Sequence, residues 1–355
     1  MSAPISNTDP LNTSIQITPD SLSIQAKCAI VSQLFTGVGV STAIGRSDVL
    51  DYELYFAYYT EQCNQALHDG GRHISARTHR DIIETFEHFK SGVSREDIIQ
   101  VLMTTLPTHR QTTDGEKLAN GTIDLAARLV LMMDFGELKY GFTGRQQLVW
   151  TSGSLSDFLI RSFKPPPGQD EVKLEKGFNA QNLERIAGIE IEWTSNMMDH
   201  LRLMDDDRKL AIFHHASFLE CQCNNTMFPA DFIQETVRSL ALLFPQNDKD
   251  CRSWFKKVST SHRLDKKAIQ CGRLRAEDRR IKNFQYWGER LSTLKELFDE
   301  AEPGTIKQWW FDRRKRVQWY TFWVAIWVLF LTVMFGIIQS VEGALQVYKA
   351  FQSPS

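Results

Sequence analysis

Trp319–Ile338 reads WYTFWVAIWVLFLTVMFGII, and the rest of the chain is best read outward from it. These twenty residues make about 30 Å of α-helix, the hydrocarbon thickness of a bilayer. Eleven of them are Ile, Leu, Phe or Val, summing to roughly −3 to −7 kcal/mol on an insertion scale. No Asp, Glu, Lys, Arg or His occurs from Val317 to Val341. A core helix apolar on every face would share this composition. The length, the aromatic residues at one end (Trp309, Trp310, Trp319, Tyr320, Trp323) and the basic run Arg313-Arg314-Lys315-Arg316 point instead to a single C-terminal transmembrane helix over 319–338.

Charge predicts its orientation. Four consecutive basic residues precede the span, whereas residues 339–355 carry only Lys349 and Glu342. The positive-inside rule then keeps the N-terminal part in the cytosol and exports a short tail. The first twenty residues, MSAPISNTDPLNTSIQITPD, lack the basic and apolar regions of a signal peptide. The expected architecture is tail-anchored, at an endomembrane such as the endoplasmic reticulum or the mitochondrial outer membrane. Six cysteines scattered over the chain (Cys28, Cys63, Cys221, Cys223, Cys251, Cys271) suit free thiols in a reducing compartment.

The chain has 355 residues, 42% hydrophobic and 24% charged, with net charge −2. This composition excludes collagenous, wholly disordered and polytopic membrane classes. No global field draws nucleic acid, and a membrane anchor makes that partner unfavourable.

The soluble part reads as mainly α with a small α/β element of winged-helix-like order. Residues 1–20 are polar and read as a disordered tail. Residues 21–110 are helical: Asp48–Leu67 is rich in Tyr and Leu, and Thr78–Lys90 puts Ile82, Ile83, Phe86 and Phe89 on one face. Ser94-x-x-Asp97 resembles a capping box opening another helix. Pro107–Gly115 reads as a linker.

Residues 116–245 are mixed. Ile123–Met133 and Leu155–Phe163, the latter behind Ser154, read as helices, and Pro165-Pro166-Pro167-Gly168 as an exposed loop. Ile189-Glu190-Ile191-Glu192-Trp193 alternates as a half-buried strand. A short helix over Asn196–Leu203, a turn at Asp205-Asp206-Asp207, an apolar run Leu210–Phe213 and a helix from Pro229 to Phe244 follow.

Residues 249–303 turn basic and then amphipathic. Segment 249–282 holds twelve Lys/Arg against four acids, while the first hundred residues hold seven against twelve. Three readings of the basic segment stay open: a solvated helix pairing with the acidic N-terminal region, contact with anionic lipid head groups, or a protein partner. Phe284, Trp287, Leu291, Leu294 and Phe298 recur at helical spacing, too briefly for a coiled coil, and are expected to pack on their own domain.

The stretches LERIAGIEIEWTSNMMDHLRLMDDDRKLAIFHHASFL (183–219), GRLRAEDRRIKNFQYWGERLSTLKELFDEA (272–301) and QWWFDRRKRVQWYTFWVAIWVLFLTVMFGIIQSVEGALQVYKAF (308–351) resemble a large, mostly uncharacterised family of fungal proteins with a C-terminal membrane segment. DLAARLVLMMDFGEL (124–138) and GRQQLVW (144–150) extend the resemblance to roughly residues 120–351. It implies a fungal, membrane-anchored protein and assigns no catalytic residue.

Candidate chemistry is thin. His214-His215 with Cys221 and Cys223 gathers four metal-ligating residue types, but adjacent histidines in a strand point to opposite faces, so a structural role is expected. Asp205-Asp206-Asp207 reads as a solvated turn rather than a cation loop. Gly37-x-Gly39 lacks the remaining residues of a dinucleotide or phosphate loop. No catalytic, cofactor or metal residue is nominated. Thr332, Gly336, Ser340 and Ala344 recur every four residues, a possible helix-packing face in the span. The leading expectation is a non-enzymatic binding, tethering or regulatory module facing an unknown cytosolic protein. The alternatives are a membrane-bound enzyme, of secondary metabolism for instance, and a regulator released by cleavage near Arg313–Arg316. An enzyme should show a pocket with converging polar residues, a scaffold an exposed apolar patch.

Overall fold

The computed structural model describes residues 9–16, 22–35, 52–106, 114–136, 148–164, 171–301 and 316–352. Gly37, Gly39, the prolines 165–167 and Arg313–Lys315 lie outside them. The described part is mainly helical, with one small three-stranded sheet.

Among the described residues, five helices build the N-terminal half: α1 (Ile24–Leu34), α2 (Glu53–Leu67), α3 (His79–Lys90), α4 (Arg95–Thr105) and α5 (Gly115–Leu131). A capping box opens α3: Thr78 Oγ1 accepts from Asp81 N, and Asp81 Oδ2 accepts from Thr78 N at 2.9 Å. Its face Ile82, Ile83, Phe86 and Phe89 is buried, as the spacing predicts. At α4, Ser94 accepts from Asp97 N, and its hydroxyl donates to the Asp97 carboxylate.

The centre of this half is α5, which packs on α2, α3 and α4. It is buried nearly all round, from Leu118 and Ala119 to Val130 and Leu131, as an all-apolar helix must be. It begins eight residues before Ile123, where the apolar run starts. It ends where Met132 takes a left-handed φ of 49°. Gly121 sets the distance to the loop before α3. A Cβ there would lie 1.9 Å from the His73 carbonyl oxygen. One residue on, Thr122 Oγ1 accepts from Ser75 N at 2.8 Å and Ala76 N at 3.1 Å.

Residues 9–16 are packed: Leu11 and Ile15 are buried, Ser14 bridges to Thr78, and Ile15 N donates to Arg77 O at 3.0 Å. Two apolar side chains in a polar stretch suffice, each stabilising by about 1.5–3 kcal/mol on full burial.

After α6 (Leu155–Ser162), capped by Ser154, and α7 (Ala180–Arg185) comes the sheet: β1 (Glu190–Thr194), β2 (Arg202–Met204) and β3 (Lys209–Phe213). The order is β1-β3-β2; β1 runs parallel to β3 and β2 antiparallel to it. Edge strand β1 exposes Glu190 and Glu192 and half-buries Ile191 and Trp193, whereas Leu210–Phe213 of central β3 are buried. The expected helix over Asn196–Leu203 is only one 3₁₀ turn, Met197–Asp199, followed by β2. Asn196 caps that turn, and Leu201 at φ 59° stops it, so the next residues pair with β3. Asp205, Asp206 and Asp207 make the hairpin turn, all left-handed, a conformation that short polar side chains tolerate.

Four helices follow: α8 (Ala216–Gln222), α9 (Phe232–Leu243), α10 (Lys249–His262) and α11 (Gly288–Glu300). Phe284, Trp287, Leu291, Leu294 and Phe298 are buried in the shared core. That core runs continuously from Leu11 to Phe298. The last helix, α12 (Arg316–Gln352), stands outside it. It is apolar enough to cross a membrane from Trp319 to Lys349, 31 residues, and none of that stretch is buried. The helix thus runs beyond the expected 319–338, through most of the tail.

Candidate functional site

A cleft of about 860 Å³ opens between the α2–α5 pair and the sheet. From α2 come Tyr58, Glu61, Gln62, Gln65 and Ala66, spaced so that they share one helix face. From α5 come Gly121, Asp124 and Arg128. Opposite them, strand register aligns Glu192, Ala211 and Arg202 across β1, β3 and β2. Phe135, Ser195, Asn196 and Asp199 close the end.

Six carboxylates line the cleft (Glu61, Asp69, Asp124, Asp134, Glu192, Asp199) against two arginines. Several are engaged within the fold. Asp124 meets Arg95 Nη1 at 2.9 Å, Asp199 meets Arg202 Nε at 3.0 Å, and Asp69 contacts His68 and His73 at 2.9 and 3.1 Å. Asn196 ties the end together: its carbonyl accepts from Asp134 N and Met198 N, and its amide donates to Asp199. Tyr58 donates to Arg128 O, and burial reinforced by the Asp134 charge raises its pKa, so it is a neutral donor. Paired carboxylates of this kind fix the walls and leave a polar interior.

One contact at the cleft resembles a nucleophile and its base. Ser195 Oγ lies 3.0 Å from His215 Nε2. Burial, with His214 beside it, holds the His215 pKa well below 6.5, so the imidazole is neutral at pH 7. His215 has no carboxylate partner among the described residues, so the third group that orients a catalytic base is not supplied. A second such contact, His200 Nε2 to Ser239 Oγ at 2.7 Å, is buried and serves packing.

The histidines His214 and His215 do not point to opposite faces. They follow the last residue of β3, where strand alternation ends, and their rings stack 4.2 Å apart. Cys221 Sγ lies 3.0 Å from Tyr52 Oη, and Cys223 Sγ donates to Leu219 O. Burial pushes the Cys221 thiol up to about 11 and the His214 imidazole down to about 4. Among the described residues no three His, Cys, Asp or Glu side chains converge as a metal site. Asp205 pairs with Lys209 at 2.9 Å.

In the basic segment, Lys267 pairs with Glu220, Arg280 with Glu277 and Lys282 with Glu171. None of these three acids belongs to the first hundred residues. In α12, Arg316 opens the helix. Thr332, Gly336, Ser340 and Ala344 are exposed. Thr332 and Ser340 hydroxyls donate to the carbonyls of Val328 and Gly336, both at 2.8 Å, which satisfies them inside the helix.

The cleft and the Ser195–His215 contact are the features that sequence pattern did not show; the polar spacing Glu61, Gln62, Gln65 was its only trace. No protein-family model, curated protein or solved structure matches this chain.

Proposed function

We propose that this protein is a binding or tethering module held at a membrane by α12, with the domain of residues 9–301 on the cytosolic side. The observation that carries this reading is an unburied apolar helix. Trp327, Val328 and Leu329 stand 57–64% exposed, next to a domain whose own core is complete without them. A continuous apolar surface of this length demands lipid or a partner. At 31 residues, about 46 Å, the stretch exceeds the hydrocarbon thickness and fits by tilting or by ending in the interface. Arg313–Arg316 on its N-terminal side favour a cytosolic domain, and six free thiols suit that compartment.

The test is topology. The sequons at Asn12, Asn120 and Asn224 all precede the span. Asn120 is held in α5, its amide donating to Glu116 O, so exposed Asn224 is the informative acceptor. On this reading the native chain resists alkaline extraction and carries no glycan, whereas a sequon on a spacer after Ser355 is modified. A glycan lost in Asn224→Gln would reverse the orientation.

The Ser195–His215 contact carries one second reading, an acyl-transferring enzyme using Ser195 with His215 as an unassisted base. Labelling of the full chain by a fluorophosphonate, abolished in Ser195→Ala, would support it; equal labelling of both would remove it.

A further inference from the structure

We propose that the exposed face of α10 docks on the anionic surface of the membrane that α12 enters, an inference that rests on the anchored reading above. The sequence of α10, KDCRSWFKKVSTSH, divides cleanly. Cys251 and Phe255 are buried and Trp254 half-buried, whereas Lys249, Arg252, Lys256 and Lys257 are exposed on the opposite side. Arg263, just past the helix, extends the row. None of these five cations forms an ion pair with a described residue. Asp250, the one acid of the helix, lies near Arg185 of α7. The stripe is therefore charge that no described residue pairs.

Its place in the fold brings it near the lipid. The domain ends with α11, and near that end the Phe298 ring packs edge-on against Phe178 at 5.6 Å. Phe178 leads into α7, which packs on α10, with Glu184 accepting from the Trp254 indole at 2.7 Å. One short helix thus separates α10 from the exit of the chain, a distance of about 20 Å by helix dimensions. Fourteen residues join Ala301 to Arg316, at most about 50 Å even when fully extended. Tethering holds the stripe at high effective concentration over the bilayer, where phosphatidylserine-type head groups attract juxtamembrane cations within a Debye length. An acidic protein offers complementary charge but no such enforced proximity.

The test uses the full chain in vesicles and reads lysine acylation by mass spectrometry. Lys249, Lys256 and Lys257 should react about threefold more slowly or less in vesicles containing one third phosphatidylserine than in pure phosphatidylcholine. Molar salt, which shrinks the Debye length to about 3 Å, should restore them. Lys117, exposed on α5, serves as the reactivity control. The double variant Arg252→Glu/Lys256→Glu should lose the protection of Lys249 and Lys257. Equal reactivity in both vesicle types, or protection shared by Lys117, overturns the proposal. So does protection that appears only when cytosolic protein is added, which would assign the stripe to an acidic partner. A chain that fails to float with either vesicle after an alkaline wash defeats the anchored reading instead.

Discussion

Glu235 shows how a single buried group holds distant elements together. It sits inside α9, yet its carboxylate accepts the backbone N–H groups of Gln285, Tyr286 and Trp287 at 2.7–2.8 Å. These amides lead into α11, so one side chain anchors the start of the last helix of the domain. Burial raises the Glu235 pKa while the three amides lower it; the hydrogen bonds are what make the buried position tolerable. Glu235→Ala leaves three donors unpartnered and should cost about 3 kcal/mol or more. Glu235→Gln, which turns an NH₂ toward one of them, should cost about half that. Urea unfolding in detergent distinguishes the two. Gly121 works by absence. With a Cβ facing a backbone carbonyl at 1.9 Å, Gly121→Ala must separate α5 from the loop before α3. A loss of about 1–3 kcal/mol is expected, read as a lower melting temperature.

Two helices, α5 and α12, contrast at the next scale. Both are dominated by apolar residues, but the fold surrounds α5 and leaves α12 bare. Val328→Arg at the centre of α12 should therefore leave the domain folded and weaken insertion by about 2.5–3.5 kcal/mol. The readout is the fraction released by alkaline extraction. Helical faces were legible wherever burial imposes a 3.6-residue period: Ile82–Phe89 and Leu291–Phe298 lie where their spacing puts them. Strand β1 was legible from alternation. Strand β2 was not, because three residues between left-handed Leu201 and Asp205 carry too little pattern. The cleft was not legible either. Its polar residues come from α2, α5 and the sheet, spread over more than a hundred positions of the chain, and a polar helix face does not announce which other element it meets. The contact between Ser195 and His215 is likewise made by the turn after β3, not by a motif.

The whole domain shares one core, and that core holds four imidazoles: His79, His200, His214 and His215. Burial keeps all four neutral. His200 is pushed down to about 3, with the neighbouring Arg290 charge adding to burial, and His79 to about 4. His79 Nδ1 meets Tyr59 Oη at 2.9 Å, while its Nε2 is buried without a partner, so a proton there would have no acceptor. The sign follows. The unfolded chain takes up protons below about pH 6.5 that the folded chain refuses, so stability is full above that pH and falls as the solution is acidified toward pH 4. Each independent histidine would contribute about 1.4 kcal/mol per pH unit. Stacked His214 and His215 oppose each other's protonation, so the folded chain refuses all four protons, and the slope approaches about 5 kcal/mol per unit once the unfolded chain is fully protonated. Glu235 and Asp265, whose pKa values burial raises, oppose this just above their ordinary ranges and flatten the lower end of the curve. Against a total of about 5–15 kcal/mol, such a slope brings acid unfolding to about pH 5. Thermal melting of the detergent-solubilised chain between pH 7 and pH 5 should show the decline, and His79→Gln should reduce its slope. A melting temperature that stays level over that range would mean that the four histidines accept protons in the folded state.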